Sequence, residues 1–337
     1  MAPIDRPLVC IVTPALADAN NGNWQTAQRW ARLLSAHYRV ALSKQWPDDS
    51  IPEKPAVLMA LHARRSAASI DAWARADSSA PLVVVLTGTD LYRDIASDAQ
   101  AQRSIGQAHR LVVLQERGPL ALPEELRAKC RVVFQSGPSR VAVPKPHQHL
   151  RALMVGHLRD EKWPQTLFEA ARLIGPREGI RIDHIGDALD PSLGEAARET
   201  AAACPHYRWL GGLAHGVVLR RIQRAHVLVH TSRMEGGAHA VLEAVRCGTP
   251  VLASRIDGNV GMLGEAYDGY FAPGDAPALA ALLRECRAGQ TLAAGRLAHL
   301  TAQCAERAPL FDPAHERAAL LALLADLTAI PRTGETP

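Results

Sequence analysis

Aromatic side chains are scarce in this chain, 4% of 337 residues, and no block of basic residues is interleaved with them. The net charge is only +4, from 38 basic and 34 acidic residues. A dedicated nucleic-acid binder needs a basic face and stacking platforms, so that class is excluded. No apolar run approaches a membrane span, and no basic segment followed by a long apolar one opens the sequence. Neither a transmembrane helix nor a signal peptide is therefore expected. The six cysteines (Cys10, Cys130, Cys204, Cys247, Cys286, Cys304) are dispersed, without a Cys-x-x-Cys pair or zinc spacing. Buried free thiols in a reducing compartment, hence a cytoplasmic location, are the expectation. No Gly-x-Gly-x-x-Gly follows the first predicted strand, which argues against a nicotinamide enzyme. What the chain has in quantity is core material, 47% hydrophobic against 21% charged. That suffices for two domains of ordinary size.

Short apolar strands alternate with helical stretches in both halves. The first half predicts strands at 8–12, 40–42, 57–61, 82–86, 110–114 and 132–134, with helices at 24–36 and 66–75. The second predicts strands at 151–155, 181–185, 207–210, 227–230 and 251–254, with helices at 164–173, 192–204 and 217–224 and another from near Ala238. This rhythm implies mostly parallel sheets covered on both faces. The fold class expected is α/β, two Rossmann-like domains facing each other across a cleft, with ligands outside the strand carboxyl ends. A proline-rich stretch without periodicity, 137–149, marks the linker. The boundaries drawn are a first domain at 1–140, a linker at 141–150, a second domain at 151–310, and a C-terminal helix at 311–330 that can return to the first domain.

The densest information lies in Ser232-Arg-Met-Glu235-Gly236-Gly237-Ala238-His239, continuing through Glu243 to Cys247-Gly-Thr-Pro-Val251. A buried strand ends in a glycine turn from which a helix starts, so unpaired backbone N–H groups converge where an anion fits. Glu235 precedes the helix and Glu243 lies about two turns along it, roughly 12 Å further at 1.5 Å per residue. A nucleoside diphosphate sugar has that layout, with hydroxyls at both ends and a diphosphate between. The ordinary alternative is that both glutamates are solvated helix-face residues.

Other strand exits carry further candidates. After the first strand, Asn21-Gly22-Asn23 enters a helix and offers amides to an oxyanion, while Asn23 can equally be a plain helix cap. His62 stands at the exit of the third strand beside Arg64 and Arg65, where an anion can dock; a lone histidine is as often structural. The next strand ends in Thr87-Gly88-Thr89-Asp90, small enough for close approach of a ligand, or a tight turn with Asp90 capping a helix. In the second half, Gly156-His157-Leu158-Arg159-Asp160-Glu161-Lys162 stands at the first strand's exit. The helix at 24–36, with Trp24, Trp30, Leu33 and Leu34, has its apolar positions on one side and is expected to face the core rather than a lipid.

The Glu-x7-Glu segment resembles the signature of the retaining-type glycosyltransferases of the GT-B fold. In that family the exit at 156–162 usually reads Gly-Arg-Leu-x-x-x-Lys, its cations neutralising a donor diphosphate. Lys162 matches, whereas His157 replaces the arginine, leaving Arg159 or the helix N-terminus to compensate. A more specific resemblance covers about residues 8 to 285: Asn21-Gly-Asn23, Thr26-Ala-x-Arg-Trp-Ala-Arg32, Ala-Leu-His62-Ala-Arg-Arg-Ser, Leu-Thr-Gly-Thr-Asp90-Leu-Tyr, Val-Gly-His157-Leu-Arg, Ser-Arg-x-Glu235-Gly-Gly-Ala, and Arg255 through Gly264 to Phe271. In that joint order they resemble the selenosugar synthases of bacterial selenoneine biosynthesis, which carry Gly-His-Leu-Arg themselves.

The resemblance implies a selenophosphate acceptor attacking the anomeric carbon of a UDP-sugar donor, UDP-N-acetylglucosamine or UDP-glucose. An already ionised nucleophile needs cations that hold two anions in line more than it needs a strong base. His62, Arg64 and Arg65 are then the nucleophile's cradle. Lys162, Arg159 and the N–H groups of Gly237, Ala238 and His239 serve the leaving group; Glu235 orients sugar hydroxyls and Glu243 the ribose. No cofactor is expected and, without an Asp-x-Asp pair, no metal. A transferase acting on a hydroxyl or lipid acceptor, and a non-catalytic sugar-nucleotide binder, remain as alternatives. The preferred sugar, the anomeric outcome and the oligomeric state stay open.

Overall fold

The computed structural model describes residues 6–14 and 22–328. The chain divides into two compact units, one ending at Gln135 and resuming at Pro313, the other running Ser136–Asp312. Among the described residues each unit carries a six-stranded parallel sheet.

In the first unit the strands are β1 (Leu8–Val12), β2 (Arg39–Ser43), β3 (Val57–Leu61), β4 (Leu82–Val85), β5 (Arg110–Val113) and β6 (Cys130–Val132), in the order β2-β1-β3-β4-β5-β6. β1 and β3 are buried throughout, which is why they read as unbroken apolar runs instead of alternating. Alternate residues still go to opposite faces. Val9 and Ile11 pack with Trp30 and Leu34, whereas Cys10 and Val12 pack with Ile70 and Trp73. The helix Gly22–Leu34 buries Thr26, Ala27, Trp30 and Leu34 along one stripe, so it faces the core. Against the same sheet face lies the last helix, Pro313–Thr328, through Leu320, Leu323, Leu324 and Leu327. Buried Glu316 accepts from Trp30 Nε1 at 2.7 Å and from Arg29 Nε at 2.9 Å, joining the two helices.

The second unit contains β7 (Leu150–Val155), β8 (Ile180–Ile185), β9 (Tyr207–Trp209), β10 (Val227–His230), β11 (Val251–Ser254) and β12 (Tyr270–Phe271), in the order β12-β11-β10-β7-β8-β9. The strand order reverses between β7 and β10, and in the first unit between β1 and β3. Those are the points where such sheets open a crevice for ligands. Three of the helices start on aspartates whose carboxylates take otherwise orphaned amides: Asp98 from Gln100 and Ala101, Asp190 from Ser192, Asp275 from Ala278.

Two boundaries move. The chain changes unit after Gln135, ahead of the predicted 140, and the proline-rich stretch is not a free linker. It lacks regular structure, yet the second unit holds it: Arg140 N–H donates to Arg246 O, Gln223 Nε2 to Val141 O, and Pro146 O is bonded by His226 Nε2. All six cysteines are buried and free. Among the described residues no helix is long and apolar enough to cross a membrane.

Candidate functional site

In the second unit the exits of β7 and β10 are stitched together before any functional side chain is placed. Thr231 Oγ1 donates to Lys162 O at 2.8 Å, and Arg233 N–H donates to Glu161 O at 3.0 Å. The Arg233 guanidinium lies 4.3 Å over the Trp163 ring. These contacts fix the short 3-10 turn Asp160–Lys162, and the turn aims Lys162 at Glu235. Lys162 Nζ donates to Glu235 Oε1 at 2.5 Å, with His230 Nε2 at 3.4 Å from the same oxygen.

Both partners are nearly out of solvent, with side-chain exposures of 15% and 10%. Burial alone would raise the Glu235 carboxyl, but Lys162 and His230 override it and hold the group well below the usual carboxylate range. Glu235 is therefore an ionised acceptor at neutral pH. Space for it depends on Gly258, where a Cβ would stand 2.1 Å from Glu235 O and 2.9 Å from its Cβ. His230 was missing from the sequence reading of the site; it looked like the last residue of an apolar strand, and only the turn back to Glu235 reveals it.

His157 is half-exposed and accepts the Asp187 N–H on Nδ1 at 3.0 Å. Burial, with Arg159 and Lys162 nearby, pushes its pKa down, against Asp187. It is thus neutral at pH 7, with its proton on Nε2, and does not replace the arginine charge that the GT-B pattern has there. Arg159 stays exposed, 3.8 Å from Glu161. The β8 exit comes close because Gly186, at φ 151°, has no Cβ; one would stand 2.0 Å from Gly156 O.

The helix His239–Arg246 follows the glycine turn and has no side-chain cap. The N–H groups of Gly236, Gly237 and Ala240 make no hydrogen bond among the described residues. The Ala238 amide, expected to face a leaving group, instead donates to Met262 Sδ at 3.2 Å. That expectation is corrected, because the helix Asp257–Leu263 brings the sulfur onto it.

Glu243 is buried on the helix, and its Oε1 bonds His215 Nε2 at 2.6 Å. Neither glutamate is a solvated face residue. The Glu243 hydrogen bond raises the His215 pKa against some burial. A raised imidazole stabilises the fold below its unfolded pKa and loses that contribution as pH rises through the folded value. We expect Glu243→Ala to weaken UDP binding by about 10- to 100-fold, the loss of one charge-assisted hydrogen bond of about 1.5–3 kcal/mol. The same variant should return the His215 titration, followed by NMR, towards that of a free imidazole. Calorimetry showing unchanged UDP affinity would remove Glu243 from the nucleotide site.

In the first unit the structure changes several assignments. Asn21 lies outside the described residues, and Gly22 is exposed at the start of its helix. Asn23 is already inside the first turn, not at the cap. His62 is 2% exposed and sits in the left-handed region at φ 74°, a strained place for a non-glycine residue. Its Nδ1 accepts the Arg65 N–H at 3.3 Å, so the neutral ring donates from Nε2 to Thr89 Oγ1 at 3.2 Å. Burial lowers its pKa, with Arg65 and Arg64 adding to the effect and Asp90 and Asp94 opposing it. His62 is neutral and cannot be a cation of an anion cradle.

Arg64 Nε lies 3.3 Å from Asp94 Oδ2, so its charge is partly spent, while Arg65 is exposed with no ion pair among the described residues. Asp90 is fully buried: Oδ1 takes the N–H groups of Thr87 and Gly88, both at 2.9 Å, and Oδ2 that of Ala63 at 3.0 Å. It is a clamp between two strand exits. Its carboxylate and the Thr87 and Gly88 amides are consumed by each other, so none of the three is open to a ligand.

In the second unit the exits of β7 and β10, with an ionised glutamate on a lysine and free helix-start amides, form an anion and hydroxyl site on a nucleotide-type fold. Residues 137–294 match the family model of the glycosyl transferases group 1. That stretch is similar to the glycosyl transferases group 1 domain. It covers just under half of the chain and nearly all of the second unit.

No curated protein matches the sequence. Solved structures do match the fold. Sucrose-phosphate synthase from Thermosynechococcus elongatus aligns with a TM-score of 0.74 at 15% identity, covering 97% of this chain and 100% of that one. Anabaena HepE in complex with UDP-glucose gives 0.70 at 15%, covering 95% and 100%. A mutant of S. aureus TarM in complex with UDP gives 0.63 at 13%, covering 79% of this chain and 55% of TarM, so this chain spans about half of TarM's length. The fold is the α/β fold of GT-B glycosyltransferases, with two Rossmann-like units.

Proposed function

We propose that the protein is a glycosyltransferase that holds a UDP-sugar on its second unit, at the exits of β7 and β10. The observation that carries this is the Lys162–Glu235–His230 cluster, at the switch point of the glycosyl transferases group 1 domain. In this reading Lys162 and the N–H groups of Gly236, Gly237 and Ala240 stabilise the diphosphate as it leaves. Glu235, kept ionised, accepts from sugar hydroxyls, and Glu243 from the ribose. HepE, solved with UDP-glucose in the same fold, supports a uridine donor. We extend the proposal to a reaction without a metal, since a lysine and backbone amides can carry the charge; activity is then unchanged by EDTA.

For the acceptor we propose selenophosphate, on the strength of the ordered motifs from Asn21 to Phe271. Selenium attacks the anomeric carbon, the bond from that carbon to the UDP oxygen breaks, and UDP leaves with the electron pair. Water then cleaves the phosphorus–selenium bond, giving phosphate and the selenosugar. A neutral, buried His62 is compatible with this acceptor, because an ionised nucleophile needs no base to take a proton. On the first unit Arg65, with Arg64, is the candidate for holding it.

Incubation with UDP-N-acetylglucosamine or UDP-glucose plus selenophosphate should release UDP and give a selenium-bearing sugar by mass spectrometry. UDP release with a hydroxyl acceptor but none with selenophosphate would end the selenium assignment. UDP-sugar binding without turnover in either mixture would make the protein a binder.

A further inference from the structure

At the other end of the second sheet, where the strands begin, lies a pocket of about 300 Å³. Its lining includes Arg151, Arg181, Arg208, Arg221 and Arg224, against a single carboxylate, Asp183. The strand register explains how they meet. Arg151 of β7 is the partner of Arg181 of β8, and Asp183 of β8 is the partner of Arg208 of β9. Partnered positions on neighbouring strands share a face, so three arginines and one aspartate stand side by side.

The single carboxylate is already committed. Asp183 accepts from Arg208 Nη2 at 2.7 Å and from Arg221 Nη1 at 3.0 Å. Arg221 and Arg224 have an ordinary reason to be there, as the last turn of the helix His215–Arg224 favours cations. Arg151 and Arg181 have none. They are like charges placed directly opposite on adjacent strands, an arrangement that destabilises a sheet. Arg181 and Arg224 have no carboxylate partner among the described residues. Among the described residues Arg151 Nε donates only to His149 Nε2, at 3.2 Å, and that imidazole is held neutral by burial and by Arg181, Arg151 and Arg287.

We propose that this pocket binds a small phosphate-bearing anion of at least two charges. Guanidinium forks fit phosphate oxygens in pairs, and a dianion would relieve the repulsion between Arg151 and Arg181. The volume suits a metabolite rather than a polymer strand. The site is distinct from the proposed donor site: Arg151 stands near the start of β7 and His157 beyond its end at Val155, with about 13 Å of strand between Arg151 and Val155 at about 3.3 Å per residue.

The test is calorimetry on the full chain, in phosphate-free buffer at low salt, comparing wild type with Arg151→Gln/Arg181→Gln. Pyrophosphate and ADP are titrated separately, so that tighter ADP binding marks a nucleotide and equal binding marks the phosphate group alone. Wild-type affinity for pyrophosphate should fall at least tenfold in the variant while its UDP affinity stays the same. Unchanged pyrophosphate affinity overturns the proposal, as does succinate binding as tightly as pyrophosphate. A parallel loss of UDP binding also overturns it. If UDP binds neither protein, the donor assignment fails while the pyrophosphate difference still reports on this pocket. Without ligand, the variant's melting temperature should equal or exceed that of wild type; a lower one would refute the repulsion on which the site rests.

Discussion

Lys162→Met should lower kcat/KM for the UDP-sugar by about 10²- to 10³-fold, the usual effect of removing one group that stabilises charge in the transition state. It should also destabilise the second unit by about 3–5 kcal/mol, because a buried carboxylate loses its counter-charge. The two effects separate in Lys162→Met/Glu235→Gln, which should regain most of the stability and none of the activity. The pH dependence gives an independent reading. In the wild type the depressed Glu235 pKa contributes stability that is present above the unfolded carboxyl value, about 4.3, and is lost as pH falls through the folded one. In Lys162→Met burial dominates and the carboxyl pKa rises, so stability should instead fall as pH rises above about 4.3. Denaturant melts at several pH values, with UDP release measured beside them, give the comparison. A variant that keeps wild-type turnover would remove Lys162 from the chemistry.

Asp90→Ala should be the most destabilising single change among the candidate site residues of the first unit. Three amides, the buried ones of Ala63 and Gly88 and the half-buried one of Thr87, would lose their acceptor at once. At about 1–3 kcal/mol for each unsatisfied group, a loss of at least about 3 kcal/mol is expected. For a unit of this size that lowers the melting temperature by about 6–12 °C. Asp90→Asn should be nearly as harmful, since its NH₂ would meet one of the N–H donors head-on. A calorimetric scan resolving the transitions of the two units would locate the loss. An undisturbed melt would mean that water replaces the carboxylate and that the clamp is dispensable.

The parts of the fold legible in the sequence are those whose cause is local. β1, β3, β10 and β11 were predicted to the residue because each is buried along its length, and a short apolar run between turns has few other readings. β6 lies at Cys130–Val132, not 132–134, because the apolar run there continues past the last paired residue. The helix Ala99–Gln107 escaped notice since its buried residues, Ala101, Ser104 and Ile105, are small or polar and make a faint stripe.

The candidate site was legible as residue types and not as pairings. Glu235 and Lys162 are 73 positions apart, Glu243 and His215 28, and Asp90 and Ala63 27. Nothing in local spacing distinguishes a carboxylate that will meet a lysine from one that will meet three amides. His62 shows the same limit. Its place at a strand exit could be read from the sequence, but its charge depends on burial and on an amide three residues on.

The helix Pro313–Thr328 has a consequence for biosynthesis. The ribosome completes the second unit, ending at Asp312, before it has made the helix that closes one face of the first. Although its strands are translated earliest, the first unit is finished last, and the surface around Trp30 and Leu34 waits for Leu320, Leu323, Leu324 and Leu327. Until that helix emerges the nascent surface is exposed to aggregation, and a truncation ahead of Pro313 would leave it permanently open.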